Sequence, residues 1–401
     1  MIIALIVSFL ISWVATYFGR RIAIRVGFVD KPGQRKIHDK PIALGGGVAI
    51  LLAFVLPILA VLAIVWLNPA PQGSHRLQED WAAWHGGIRK QTPMALSFVG
   101  GCVLLHLMGL WDDRRALGPY SKLFFQFGVA AGLLALNPDL RAVTALGPVA
   151  SFVLTLLWIT AVTNAFNFLD NMDGLSAGVA CVCALCFLVT ALMVGQLFVA
   201  ASLALLIGAL LGFLCFNFLP ASIFMGDSGS LVVGFILGVL TIRTQYLRTG
   251  EDFGAGWYAV FVPVIVLAVP LYDLIVVSLI RMSRGVSPFK GDTNHFSHRL
   301  VARGMSKRTA VLCLYLVSAA TGVGAIILPQ VQSSFVAIMI FVQTLLILGV
   351  VALLEQHPLP GQLPASAARG FEVLSRAVDP PVKDLGKREE PQRRGGTEAR
   401  S

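Results

Sequence analysis

The chain has 401 residues, of which 56% are hydrophobic and only 13% charged, with a net charge of +10. A soluble domain carries roughly 25% charged residues, so this composition excludes an ordinary soluble enzyme and implies an all-α polytopic membrane protein, since helices satisfy their own backbone groups in lipid. The cations are sorted along the chain rather than pooled, which argues against nucleic acid as a partner and for a bilayer.

Apolar runs long enough to cross a membrane recur near 1–19, 45–67, 94–111, 122–136, 146–163, 174–194, 197–219, 229–246, 257–280, 309–328 and 334–354, the fourth being short. They predict about 10–11 transmembrane helices. The first run has no basic stretch before it and no small-x-small cleavage site, and Arg20 and Arg21 follow directly, so it reads as a retained helix. With alternating crossings, 25 of the 31 Lys and Arg fall on one side: the segments 20–44, 112–122, 281–308 and the tail. The positive-inside rule then puts the amino terminus outside and the carboxyl terminus in the cytoplasm. Residues 1–355 read as one transmembrane domain. Residues 356–401 turn polar and rich in Pro, Gly, Arg and Glu, the composition of a disordered cytoplasmic tail, with a weak amphipathic stretch near 367–378. Cys181, Cys183 and Cys186 share one apolar run with no His nearby and are expected to pack rather than bind metal.

Four constellations at the cytoplasmic ends of these runs carry candidate chemistry. The first is Asp112-Asp113-Arg114-Arg115, followed by Lys122 and Gln126. Two adjacent carboxylates leaving a helix favour a cation, and one of them could take a proton; a helix-end pair balanced by Arg114 and Arg115 is the plainer alternative. The second runs from Asn164 to Gly174. If 164–173 is helical, Asn164, Asn167 and Asp170 line one face and Asp173 extends the row, four polar groups able to read a nucleotide; an Asx-capped turn would need only one of them.

The third is Phe224-Met225-Gly226-Asp227-Ser228-Gly229-Ser230, where free N–H groups at a helix start suit a phosphate and Asp227 could hold a metal bridging to it; an ordinary capped start is the alternative. The fourth spans Ser287–Leu300. His295, His298 and Arg299 could grip a diphosphate, against the alternative of a solvated basic loop. Just before it, Asp273 sits inside the ninth apolar run, either functional or paired with Arg281 or Arg284. Neither a Gly-x-Ser-x-Gly elbow nor His-Glu-x-x-His is present.

At these four motifs the chain resembles the polyprenyl-phosphate N-acetylhexosamine-1-phosphate transferases of glycosyltransferase family 4, over roughly residues 30–310 and in family order. Asp112-Asp113 with Leu117, Pro119 and Lys122, Asn164-Ala165 with Asn167 and Asp170, and Phe224-Met225-Gly226-Asp227 with Gly229-Ser230 carry the resemblance. Arg35-Lys36-Ile37-His38, Pro41 and Gly45-Gly46 look like the family's first cytoplasmic loop. Pro270-Leu271, Asp273 and Ser287-Pro288-Phe289 are closer to the N-acetylglucosamine branch than to the phospho-N-acetylmuramoyl-pentapeptide translocase.

There are two departures. Where the branch usually shows His-x-His-His, His295 and His298 match and Ser297 stands at the middle position, and Asn171 follows Asp170 where many members have Gly. Both bear on which sugar is used.

The resemblance implies transfer of a sugar 1-phosphate from a UDP-amino sugar, UDP-GlcNAc foremost, to undecaprenyl or another polyprenyl phosphate. UMP leaves, and the first lipid-linked sugar of a cell-envelope glycan remains. It implies Mg²⁺, with Mn²⁺ as substitute, held by Asp227 and Asp113. Asp112, Asp113 and Asp227 would be catalytic, and Lys122, Asn164, Asn167, Asp170, Asp173, His295, His298 and Arg299 would bind substrate. It also implies a bacterial inner-membrane location and a homodimer. The translocase itself is one alternative. A nucleotide-sugar transporter is another, which would place its polar groups at mid-membrane with internal repeats.

Overall fold

The computed structural model describes residues 1–30, 41–68, 76–244, 246, 257–288, 294–331 and 333–356. The motif at Arg35–His38, the segment Phe289–Thr293 and the tail after 356 lie outside them. Met1–Glu355 forms one compact unit.

All eleven apolar runs are helical. They are α1 (Ile2–Arg25), α2 (Gly46–Leu67), α3 (Arg76–Arg114), α4 (Pro119–Leu136), α5 (Pro148–Leu169), α6 (Leu175–Met193), α7 (Leu197–Asn217), α8 (Asp227–Arg243), the pair α9 (Val262–Val266) and α10 (Ala268–Ser283), α12 (Lys307–Ile327) and α13 (Ser334–Gln356). A short helix, α11 (Phe296–Ala302), precedes α12. Two strands, β1 (Val29–Asp30) and β2 (Ile42–Ala43), form an antiparallel pair.

Among the described residues eight helices are long and apolar enough to cross a membrane, and nine if the bent pair counts as one. The expected 10–11 counted α4 and α8 as well. These have 18 and 17 residues, and α4 carries Lys122 and Gln126 in its first half.

Proline shapes two of the spans through the hydrogen bond it cannot make. Pro57 inside α2 has no N–H for the carbonyl of Ala53; the Ser8 hydroxyl of α1 donates there at 3.0 Å and lies 2.6 Å from the Leu205 carbonyl of α7. One hydroxyl thus ties three helices together. Pro270 similarly leaves the Val266 carbonyl without its helical donor, and the chain bends by 71° between α9 and α10. The Cys183 thiol of α6 fills the vacancy at 3.3 Å, which fits the expectation that this cysteine packs.

The core lies along α6, α7 and α8, whose residues are buried nearly all round, while α1 and α13 expose apolar faces suited to lipid. The first turn of α8 is wedged between α2 and α3. A Cβ on Gly47 would sit 2.4 Å from the backbone of α8, and one on Gly109 2.5 Å from it, so only glycine lets these helices touch there. The loop before α2 also pairs with the strand-like run before α8. Phe224 donates its N–H to Ala43 at 2.8 Å, and Gly46 and Gly47 donate theirs to Phe224 and Met225. The ends of α3, α5 and α8 that carry the acids therefore converge.

Candidate active site

Gly109 places α3 so that its last turn reaches the start of α8. Asp113 there accepts the N–H of Asp227 at 2.8 Å and that of Ser228 at 3.2 Å. These are the N–H groups that the helix itself cannot satisfy, so Asp113 caps α8 from another helix. Gly226 just before takes φ +70°, and a Cβ on it would meet Asp113 at 2.6 Å. The expectation that free N–H groups at this end would hold a phosphate is corrected: a carboxylate already occupies them.

Asp227 is the centre of the cluster. Its Oδ1 accepts from Asn167 Nδ2 at 2.9 Å, and its Oδ2 pairs with the ammonium of Lys122. Asn167 also donates to Ser230 Oγ at 3.0 Å. Lys122 bonds Asp112 at 2.9 Å, and the other oxygen of Asp112 accepts the N–H of Leu117 at 2.6 Å, closing the turn between α3 and α4. One ammonium thus bridges two carboxylates from different helices. Arg114, which with Arg115 would balance the acid pair in the plainer alternative, lies instead over the Phe28 ring at 5.3 Å.

The row expected along 164–173 holds only in part. The helix α5 ends at Leu169, Asp170 is its cap, and Gly174 turns into α6 with φ +73°. Asn167 and Asp170 face the cluster. Asn164 lies a turn away and donates to Gln126 Oε1 at 2.5 Å, linking α5 to α4. Asp173 leaves the row because the helix has ended, and its carboxylate accepts the N–H of Ala221 at 2.9 Å. The Asn217 amide joins the same two loops, accepting from Gly174 and donating to Ile223.

Asp170 accepts from the backbone of Gly226 and sits among like charges. Desolvation, then the charges of Asp227, Asp113 and Asp173, push its carboxyl up to about 8.

The last loop forms a second polar group beside this one. Asp273 is fully buried; it accepts from His295 Nδ1 at 2.9 Å and from the Phe296 N–H at 2.7 Å. Arg281 Nη2 lies 3.5 Å from His295 Nε2, on the side of the ring away from Asp273. Both nitrogens of His295 are thus engaged. His298 has its ring 6.4 Å from that of His295, and desolvation first and the neighbouring His295 second push its imidazole below the ordinary value.

Arg299 is likewise taken: its Nη2 binds Glu355 of α13 at 2.9 Å, and Arg303 bonds the Glu355 carbonyl. The last loop is therefore fastened to its surroundings by His295 and Arg299, which were expected to grip phosphate, and leaves His298 as the imidazole without a protein hydrogen bond among those described.

Asn217 and Glu355 are neighbours of the site that the motifs do not announce, while Gln126 and Ser230 stand in the motifs without an assigned role.

The glycosyl transferase family 4 model matches residues 95–245, the segment holding three of the four constellations. A probable undecaprenyl-phosphate N-acetylglucosaminyl 1-phosphate transferase of Bacillus subtilis is 32% identical over 86% of this chain and 89% of its own. A decaprenyl-phosphate N-acetylglucosaminephosphotransferase of Mycolicibacterium smegmatis is 32% identical over 77% of each chain. An undecaprenyl-phosphate alpha-N-acetylglucosaminyl 1-phosphate transferase of Yersinia pestis is 27% identical over 79% of this chain and 80% of its own. With the acids of α3, the turn after α5 and the start of α8 meeting at one place, and with relatives matched along most of its length, the chain belongs to glycosyl transferase family 4, in its N-acetylglucosamine-type branch.

Proposed function

We propose that the protein transfers N-acetylglucosamine 1-phosphate from its UDP donor to a polyprenyl phosphate. An oxygen of the lipid phosphate attacks the phosphorus that bears the sugar, the bond from that phosphorus to UMP breaks, and a lipid diphosphate sugar remains. The observation that carries this reading is the meeting of Asp112, Lys122, Asn167, Asp170 and Asp227 at the converging ends of α3, α4, α5 and α8. A transporter would concentrate its polar groups at mid-membrane instead.

The donor set is carboxylate oxygen, which suits a hard divalent cation such as Mg²⁺, with Mn²⁺ as substitute. The crowding of negative charge that raises Asp170 fits such a cation too. Asp227 and Asp170 would hold it. Asp113, whose two oxygens already accept N–H groups, stands behind Asp227 and keeps it in place. When bound, the cation neutralises the diphosphate of the donor.

Lys122 supplies positive charge to the reacting phosphates from its bridge between Asp112 and Asp227. Asp112 orients that ammonium and can accept a proton from the lipid phosphate. Asn167 holds the Asp227 carboxylate in one rotamer. The segregation of Lys and Arg supports a cytoplasmic position for this face in the bacterial inner membrane.

The test is UMP release by purified protein given undecaprenyl phosphate, UDP-GlcNAc and MgCl₂. Release that requires all three is expected. Absence of release from folded protein, with uptake of UDP-GlcNAc into proteoliposomes, would overturn the reading in favour of transport.

A further inference from the structure

The two places where this chain departs from the pattern it resembles are a single contact in space. Ser297 Oγ donates to Asn171 Oδ1 at 2.5 Å, across 126 residues of sequence. The amide of Asn171 has one orientation, because its Nδ2 donates to the Phe168 carbonyl at 2.7 Å. Phe168 in turn receives the edge of the His295 ring at 5.8 Å and the Arg281 guanidinium at 5.1 Å. Ser297 is only 1% exposed. An imidazole at 297 has no room while the Asn171 side chain is present. A glycine at 171 leaves the buried Ser297 hydroxyl without this acceptor, which is destabilising. Each departure therefore makes sense only with the other.

The bond also lies between two residues of the candidate site. Asn171 directly follows Asp170, which belongs to the acid cluster, and Ser297 directly precedes His298, the imidazole in the last loop that has no protein hydrogen bond among those described. A link between 171 and 297 thus sets how far Asp170 stands from His298. Asp273 and Glu355 fasten the rest of the loop from the other side, at His295 and Arg299, so the Asn171 link is what joins it to the turn after α5.

We propose that Asn171 and Ser297 form a latch that holds the last cytoplasmic loop against the turn after α5 and thereby sets which N-acetylhexosamine the donor site accepts. The two are positioning residues; neither touches the reacting phosphates. The proposal rests on the transfer reaction above for its choice of ligand, and its test does not depend on turnover.

The experiment is a cycle of Asn171→Gly, Ser297→His and the double variant in the full chain. Melting temperature is read alone and with UDP-GlcNAc or UDP-GalNAc added. Each single variant should melt lower than wild type, and the double should recover most of the loss, because the imidazole then fills the space the amide vacates. The ratio of the two donors' affinities, read from their thermal shifts, should change by tenfold or more in the recovered double variant. UMP release gives the same ratio as kcat/KM where turnover is present. Additive losses in the cycle would overturn the latch, and a recovered double variant with the wild-type donor ratio would overturn its role in selectivity. If the wild type binds both donors and releases no UMP, the transfer reading fails while the cycle still decides the latch. If it binds neither donor, the selectivity role is overturned.

Discussion

Asp113 caps a helix to which it does not belong: its two oxygens take the N–H groups of Asp227 and Ser228, which open α8. The carboxylate thus fixes Asp227 before any ligand arrives. Replacing it with alanine strands two helix-start donors at the bottom of the site. Asp113→Ala should lose about 1–2 kcal/mol of stability and nearly all activity. Asp113→Asn, which can still accept one N–H, should retain more stability than alanine. Melting curves in detergent beside UMP release would check the order, and equal stability of the two variants would remove the capping role.

Lys122 is the one ammonium bridging Asp112 and Asp227 among the described residues. Lys122→Met should lower turnover by about 10²–10³-fold, in the range for removing a charge that faces a transferring phosphoryl group. It should also strengthen divalent-cation binding to the free protein, because an internal competitor is gone. Mn²⁺ titration followed by electron paramagnetic resonance would read that directly. Weaker Mn²⁺ binding would mean that Lys122 supports the cation rather than competing with it.

Asp170 makes the pH dependence specific. Its carboxyl is raised from 3.8 to about 8, by burial first and by neighbouring carboxylates second. A raised acid contributes stability that is full below the unfolded value and is lost as pH rises through the folded one. Cation-free protein should therefore melt progressively lower from about pH 4 to about pH 8, and Asp170→Asn should flatten that slope. Added Mg²⁺ should raise the melting point most at the alkaline end, and its binding should release a proton. A cation-free melting profile that is flat in wild-type protein would contradict the burial and charge crowding described.

Asp273 and His295 predict a split in the kinetics. Asp273→Ala leaves the His295 Nδ1–H and the Phe296 N–H unpaired in a buried place, at a cost of about 3–5 kcal/mol for breaking such a pair. The last loop should loosen, so KM for the UDP donor should rise more than kcat falls. An unchanged donor KM with kcat reduced would instead put His295 in the chemical step.

Much of the site was legible because it follows local periodicity. Asn164, Asn167 and Asp170 are three apart; helix α5 sets the two asparagines in a row and Asp170 caps its end. Asp173 breaks the row because α5 ends at Leu169, a boundary that four polar residues spaced three apart do not mark. What no local pattern carries is pairing at a distance. Asp113 meets Asp227 across 114 residues, and Ser297 meets Asn171 across 126. Arg299 reads as a phosphate ligand by charge alone, yet Glu355 at the end of α13 claims it, 56 residues away. The difference between the 10–11 helices expected and the eight or nine that pass on length and hydropathy among the described residues lies in α4 and α8. Hydropathy registers α4 and α8 as apolar, whereas their shortness and the polar face of α4 reflect what they hold at the site.

The length of α8 has a consequence of its own. Its 17 residues extend about 25 Å, against a hydrocarbon core of about 30 Å. Either the bilayer thins around this helix or one of its ends is sunk beneath the headgroups. The carboxylate of Asp227 opens the helix, so its depth relative to a lipid-borne phosphate follows the thickness of the host membrane. Acyl-chain length is then a setting on the catalytic encounter itself. In vesicles of graded chain length, reaction rate should pass through a maximum where the bilayer brings the two phosphates and this carboxylate to one level.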